Sequence, residues 1–235
     1  MPRPIVVVLV SANAEWAPVK EYLVPGQVER TPYGEYFTRS LGDGEIVFLH
    51  GGWGKISAAA STEYAISRWN PQVLINLGTC GGIGGRAARG EKLLVTRAIT
   101  YDIYESMGDS ADAIRWYTTD VDLSWLDDQF PIQVRRSHLV SADRDLVPSQ
   151  VPELVERFDA VAGDWESGAI AFVADRRGVP LLIIRTVSDL VTSQTGETIG
   201  ALEVFEAAAT KVMRELLDDL TSLVPYVLAL RRASP

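Results

Sequence analysis

Residues 163–190, GDWESGAIAFVADRRGVPLLIIRTVSDL, combine charged side chains with long apolar runs. The stretch begins with two acids, Asp164 and Glu166, and continues with a run that has helical spacing. A continuous apolar run follows that is typical of a buried strand; it contains Arg185 and ends next to Asp189. Because an arginine is rarely buried without a partner, we interpret Arg185 and Asp189 as parts of a functional site. Asp164 and Glu166 fit two roles equally well: a role in function, and a place at a helix N-terminus, where acids complement the helix dipole.

The rest of the chain continues this alternation of strand and helix. Residues 5–10 are a continuous β-branched run, typical of a strand buried on both faces. Residues 35–41 and 44–50 flank GDG, which indicates a hairpin, and residues 54–69 have helical spacing. The alternation predicts an α/β layer fold with a largely buried sheet.

Three predicted strands are followed by polar or glycine-rich residues. The first strand leads to Glu15, the strand from Gln72 ends at GTCGG, and the strand from Pro180 ends at Ser188 and Asp189. Ligands of such sheets bind at the carboxyl ends of the strands. We therefore expect these residues to meet at one edge of the sheet.

Two segments complete the predicted organisation. Residues 101–130 are acidic and aromatic with weak periodicity, which predicts an irregular excursion, and residues 199–224 form the longest helical pattern. No linker or low-complexity segment interrupts the chain, so we expect one domain over residues 1–235.

Composition limits the classes of function. A net charge of −9 and a pI of about 4.8 argue against a broad basic face, so we expect neither nucleic acid nor a membrane as a partner. Cys80 is the only cysteine, which excludes an intrachain disulfide and a cysteine-based zinc site. No run approaches the roughly 20 apolar residues of a spanning helix, and we expect a cytoplasmic protein.

Two glycine-rich motifs do not predict a cofactor. GGWGKIS (51–57) lacks the Ser or Thr that a phosphate-binding loop needs directly after its lysine, and it reads as a turn from strand to helix. GTCGGIGG (78–85) is followed by strand-like sequence, whereas a dinucleotide fingerprint needs a helix there. Neither histidine forms an obvious pair with Cys80, so we interpret Cys80 as a buried thiol. We expect no cofactor and no metal.

The opening stretch, together with INLGTCGG and the early SANAEW, resembles the nucleoside phosphorylase superfamily. The similarity is strongest to the methylthioadenosine/S-adenosylhomocysteine nucleosidases. It covers nearly the whole chain in the same order and is weakest over residues 101–130. The resemblance implies a three-layer α/β/α fold around a central mixed twisted sheet, usually in a homodimer or a larger homo-oligomer.

The resemblance also implies roles for residues on the sugar side of a bound nucleoside. Glu15 would activate the attacking water, and Arg185 and Thr79 would help to hold that water. Glu166 would bind the ribose hydroxyls. Carboxylates in these places suit the chemistry, because cleavage of an N-glycosidic bond develops positive charge on the ribose.

On the base side, the resemblance implies that Asp189 serves the purine N7 with Ser188 beside it. Backbone around Asp145 and Leu146 would line the base pocket, and Gly81 of GTCGG would belong to the substrate-binding residues. A carboxylic acid near N7 can protonate the base as it leaves. The match therefore assigns an acid to each side of the bond that breaks.

Water is favoured over phosphate as the nucleophile. Phosphorylases of the superfamily bind phosphate with arginines in an early loop and just before the glycine-rich turn. Here the early loop is SANAEW, and Asn76 and Leu77 precede GTCGG. Phosphate needs charge-assisted donors, and Glu15 would repel it. The resemblance thus implies a purine nucleoside N-ribosyl hydrolase, most simply of methylthioadenosine or S-adenosylhomocysteine; a phosphorylase and a non-catalytic nucleoside-binding module remain alternatives.

Three residues depart from the family pattern. Trp165 replaces the usual methionine between the two acids, Trp53 replaces a small aliphatic residue near the 5′ end of the ligand, and Asp145 replaces an apolar or aromatic residue. We count all three as substrate-binding. They leave open the 5′ substituent and the base, so a hydrolase of a futalosine-like or unsubstituted purine nucleoside is a further alternative.

Overall fold

The computed structural model describes residues 5–41, 44–198 and 201–233. In these ranges, ten strands form one mixed sheet that six α-helices accompany. The strands are β1 (Ile5–Val10), β2 (Glu29–Arg30), β3 (Glu35–Leu41), β4 (Gly44–His50), β5 (Val73–Ile83), β6 (Lys92–Thr100), β7 (Thr118–Asp120), β8 (Arg135–Ser141), β9 (Ala162–Asp164) and β10 (Leu181–Val191). The helices are α1 (Asn13–Leu23), α2 (Gly54–Trp69), α3 (Ser110–Trp116), α4 (Val151–Phe158), α5 (Ser167–Arg176) and α6 (Leu202–Ala233).

Part of the sheet closes on itself. Strand β5 pairs in parallel with β1 and β10, and β10 continues to β6 in antiparallel pairing. Strand β6 pairs in parallel with β8, β8 with β9, and β9 returns to β5 in antiparallel pairing. The long strands β5 and β10 therefore lie next to each other with β9 on the other side of β5.

The buried side chains divide into two large cores, one on each face of the sheet. Along β1, Val6 and Val8 belong to one core and Val7 and Leu9 to the other, as the alternation of a strand requires. Helices α1 and α6 cover the first face, and α2 and α5 cover the second. This arrangement confirms the predicted three-layer α/β/α fold with a central mixed sheet.

The prediction of an irregular segment over residues 101–130 was partly wrong. The segment contains α3, which begins after Asp109 caps the backbone N–H of Ala111, and β7, which pairs with β6. Both elements are short, and Ile114 is the one residue of α3 that is buried. A single buried position gives no periodicity for sequence analysis to detect.

Two predicted strand ends were also wrong. Strands β5 and β10 do not stop at GTCGG and at Ser188–Asp189; they continue to Ile83 and Val191, because the two strands pair with each other along this whole length. The polar residues of the motifs therefore lie within strands.

The long helix is α6, and the first two residues of its predicted span, 199–200, lie outside the described residues. No helix in the described ranges has the length and hydrophobicity needed to cross a bilayer.

Candidate active site

Arg185 is fully buried in β10, and its guanidinium is paired as expected. Nη2 lies 2.8 Å from Asp164 Oδ2 and donates to Asn76 Oδ1 at 2.8 Å, while Nε donates to Ser167 Oγ at 3.0 Å. These partners compensate the loss of hydration that burial of a charge requires. Arg185 is therefore fixed in one orientation.

Asp164 lies at the start of α5 and also pairs with Arg185. Its carboxylate accepts hydrogen bonds from the backbone N–H of Ser167, the first residue of α5, at 3.2 Å and from Ser141 Oγ at 2.5 Å. The same carboxylate forms the ion pair with Arg185. One acid thus joins the start of α5 to the centre of β10.

Glu15 lies in the first turn of α1 and meets the glycine-rich part of β5. Its Oε1 accepts hydrogen bonds from Thr79 N at 2.6 Å and Thr79 Oγ1 at 2.8 Å, and Arg185 Nη1 lies 3.9 Å away. A Cβ atom at Gly78 would lie 1.9 Å from that Nη1 and 2.7 Å from Glu15 Oε1. Glycine at position 78 is therefore what lets these two charged side chains approach across β5.

A shift in strand register directs Asp189 to a different face from Arg185. Arg185 pairs with Gly78, whereas Asp189 pairs with Gly81, so Ser188 is an extra residue in β10. In a regular strand, residues four apart share a face. Here Gly78 and Gly81, the partners of Arg185 and Asp189 in β5, are three residues apart. The shift therefore brings Asp189 to the opposite side of the sheet from Arg185.

Hydroxyl groups contact both carboxylate oxygens of Asp189. Ser188 Oγ donates to Oδ1 at 2.6 Å, and Thr198 Oγ1 donates to Oδ2 at 2.8 Å. Cys80 is buried, and burial raises the pKa of its thiol well above the usual value. The expected buried thiol is confirmed, and a neutral thiol is a poor nucleophile.

Glu166 is a third buried carboxyl, and Gly54 N donates to its Oε1 at 3.1 Å. Burial raises the pKa of Glu166 to about 8, and the charge of Asp164 adds to this increase. The charge of Arg185 opposes it with a smaller effect. Glu166 therefore holds its proton to a higher pH than an ordinary carboxyl group does.

Two tryptophans stack beside Glu166. The ring centroids of Trp53 and Trp165 are 4.9 Å apart with an interplanar angle of 23°, although Trp53 is 66% exposed. The turn that carries Trp53 leads directly into α2, as predicted, and Lys55 N donates to Asp143 Oδ1 at 2.8 Å. This hydrogen bond ties the turn to the loop with Asp145.

These groups share one cavity of about 680 Å³. Ten of the predicted residues line it: Glu15, Trp53, Thr79, Gly81, Asp145, Leu146, Trp165, Glu166, Ser188 and Asp189. Arg185 does not line the cavity, because its guanidinium lies behind Gly78. Sequence analysis gave no role to Arg144, which directly precedes Asp145, or to Thr198 and Phe205, which belong to no motif; all three line the cavity. It also gave no role to Asn76, although a polar residue inside the apolar run VLINLG was a signal of the same kind as Arg185.

The side chains that line the cavity offer carboxyl groups, hydroxyl groups and aromatic rings to a ligand. Within the ranges that the structure describes, no group of three or more His, Cys, Asp or Glu side chains has the arrangement of a metal site. The cavity suits a polar organic molecule with an aromatic part.

Comparison with known proteins places the chain in a family. The model of the phosphorylase superfamily matches residues 4–222. The 5′-methylthioadenosine/S-adenosylhomocysteine nucleosidase of Halalkalibacterium halodurans is 29% identical over 172 residues, which cover 68% of this chain and 74% of that protein. The protein of the same name from a Geobacillus species is 26% identical over 207 residues, covering 80% and 85%.

Solved structures agree with this relationship. The 5′-methylthioadenosine/S-adenosylhomocysteine nucleosidase of Helicobacter pylori superposes with a TM-score of 0.77 at 17% identity and covers 95% of this chain and 100% of its own. The futalosine hydrolase of the same organism superposes with a TM-score of 0.75 at 16% identity, covering 96% and 97%. At these identities the likeness shows a common fold. From the family match over most of its length, the chain belongs to the phosphorylase superfamily.

Proposed function

We propose that this protein is a purine nucleoside N-ribosyl hydrolase that uses water to cleave nucleosides of the methylthioadenosine and S-adenosylhomocysteine type. The observation that carries the proposal is that Glu15 and Asp189 line one cavity, each held by hydroxyl donors, with the buried carboxyl of Glu166 in the same wall. The names of the curated relatives support the same reaction.

On the sugar side, Glu15 acts as the general base. The water oxygen forms a bond to the ribose C1′, and the water proton passes to the Glu15 carboxylate. Thr79 holds the carboxylate through two hydrogen bonds, and Arg185 supports it from behind the strand. Glu166 binds the ribose hydroxyls. The negative charge of Glu15 also stabilises the positive charge that develops on the ribose.

On the base side, Asp189 acts as the general acid. As the bond between C1′ and N9 breaks, its electron pair moves into the purine ring, and N7 takes the proton of Asp189. The leaving base is then neutral. The proton that Glu15 gained and the proton that Asp189 lost balance, and exchange with solvent restores both groups.

The surroundings of Arg185 favour water over phosphate. Asp164, Asn76 and Ser167 engage Nε and Nη2, and Nη1 faces Glu15. A phosphate at the position of the attacking water would lie against the Glu15 carboxylate, where like charges repel. Arg144, the arginine that does line the cavity, belongs to the loop with Asp145 rather than to β10.

Product analysis tests this proposal. In phosphate-free buffer, the protein should convert 5′-methylthioadenosine to adenine and free 5-methylthioribose, and added phosphate should not raise the rate. Sulfate at equal ionic strength is the control, and mass spectrometry identifies the sugar. A strict requirement for phosphate, with a sugar 1-phosphate as product, would establish the phosphorylase alternative. Binding of nucleosides without any base release would establish the binding module.

The tryptophan pair favours a second candidate, a hydrolase of another nucleoside that is futalosine-like or carries no 5′ substituent. Trp53 and Trp165 are bulkier than the residues of the family pattern at these positions, and they stack on each other at the cavity wall. Trp53→Ile should change the ratio of kcat/KM between 5′-methylthioadenosine and adenosine by about 1–3 kcal/mol, or roughly 10–200-fold, the range of apolar discrimination.

Steady-state kinetics with both substrates measures the effect of Trp53→Ile. The matched control is Trp116→Ile, which removes a tryptophan of nearly the same exposure, 65%, that does not line the cavity. Equal substrate ratios in both variants would mean that Trp53 does not contact the 5′ group.

We further propose that the protein is one domain over residues 1–235, that it assembles as a homodimer or a larger homo-oligomer and that it works in the cytoplasm. Exposed apolar side chains support assembly. Ile56 is 85% exposed, Tyr104 86% and Met107 95%, and Lys55 pairs with Asp102, which brings their two segments together. Exposed apolar groups that lie together are typical of contact surfaces.

A further inference from the structure

Thr198 contacts the group that we identify as the general acid. Its Oγ1 donates to Asp189 Oδ2 at 2.8 Å, from nine residues further along the chain. Ser188 Oγ lies within hydrogen-bond distance of both Asp189 Oδ1, at 2.6 Å, and Cys80 O, at 3.2 Å. A hydroxyl has one proton, so Ser188 divides its donation between two acceptors. Among the residues that the structure describes, the hydroxyl of Thr198 has no such competing acceptor.

The segment before Thr198 is anchored to β10 beside Asp189. Glu197 N donates to Leu190 O at 3.1 Å, and Leu190 N donates to Glu197 Oε2 at 2.7 Å. The guanidinium of Arg89 pairs with the same carboxylate, with Nε 2.9 Å from Oε2 and Nη2 2.7 Å from Oε1. Glu197 is therefore bonded on three sides, and the position of the next residue, Thr198, follows from this anchor.

A proton donor must keep its carboxyl group in line with the atom that receives the proton. Once the proton has left, Asp189 is a carboxylate, and a hydroxyl that donates to it stabilises the charge that develops in the transition state. Thr198 meets both requirements. Thr198 donates from outside β10. The donor within β10 is Ser188, whose hydroxyl is shared between Asp189 and Cys80.

We propose that Thr198 is a positioning residue for the general acid, held in place by the pair of Arg89 and Glu197; this inference rests on the proposed function. Thr198→Val keeps the shape of the side chain and removes the donor. It should lower kcat for 5′-methylthioadenosine by roughly 10–100-fold, the range for one hydrogen bond to a charged group, and leave KM within about threefold. Thr198→Ser restores the hydroxyl and should recover most of kcat.

A double-mutant cycle separates this role from loop stability. In the Asp189→Asn background, no proton is donated, so Thr198→Val should cause no further loss of kcat. Thr195→Val is the matched control, because it removes a hydroxyl of the same loop that does not contact Asp189. Equal losses in both backgrounds, or failure of the Ser variant to recover kcat, would overturn the inference.

A second variant covers the case in which Thr198→Val does not fold. Arg89→Leu leaves Thr198 intact and removes the exposed anchor of Glu197, and it should lower kcat in the wild-type background but not in Asp189→Asn. If the unaltered protein releases no purine from any nucleoside, the proposed function and this inference both fail. If it does and Thr198→Val or Arg89→Leu retains full kcat, this inference alone fails.

Discussion

Asp189→Asn should lower kcat for 5′-methylthioadenosine by about 10²–10⁴-fold, the usual contribution of general acid catalysis. Asn has nearly the same shape as Asp and can still form a hydrogen bond to the base, so substrate binding should survive. It has no acidic proton to give to N7. The loss should therefore appear in kcat rather than in KM.

The measurement is kcat together with the melting temperature of the purified variant. A purely structural role of Asp189 would give a lower melting temperature and nearly normal turnover in the folded fraction. Asp175→Asn, an acid-to-amide change on the exposed part of α5, is the matched control. If Asp189→Asn keeps more than roughly a third of the wild-type kcat, Asp189 is not the general acid.

Glu15→Gln is the second change with a large expected effect, and we predict a loss of about 10²–10⁴-fold in kcat. The amide oxygen of Gln can accept both hydrogen bonds from Thr79, so the first turn of α1 should keep its contact with β5. The amide cannot accept the proton of the attacking water. Binding of a substrate analogue should therefore remain while hydrolysis is lost.

Isothermal binding and single-turnover kinetics separate the two effects of Glu15→Gln. The control is Glu21→Gln, the same substitution on an exposed residue of the same helix. A variant that hydrolyses at near wild-type rate would mean that another group activates the water. A variant that no longer binds the analogue would show that Glu15 shapes the cavity instead.

The three layers of the fold were predictable because the physical signals are local. The β-branched run at 5–10 and the apolar run at 181–187 can be buried only as central strands, and they lie in the sheet as expected. The need for a partner to Arg185 was predictable too, since an unpaired buried guanidinium is too costly. The choice among Glu15, Asp164 and Glu166 as that partner was not, because it depends on distances across the fold.

The register shift in β10 illustrates what the sequence does not contain. The residue types around Ser188 fit a regular strand as well as they fit a strand with an extra residue. Only the pairing of Asp189 with Gly81 decides on which face the carboxylate lies. Thr198 was missed for the same reason, because its contact with Asp189 depends on how the following loop turns back.

The raised pKa of Glu166 couples folding to proton uptake. An unfolded chain holds this group at its ordinary pKa of 4.5, whereas the folded protein raises the pKa to about 8. Between these values, the folded state retains a proton that the unfolded state has lost. The stability that this group contributes is therefore complete below pH 4.5 and decreases as the pH rises through about 8. A ligand that needs the carboxylate form of Glu166 would therefore have to displace a proton when it binds.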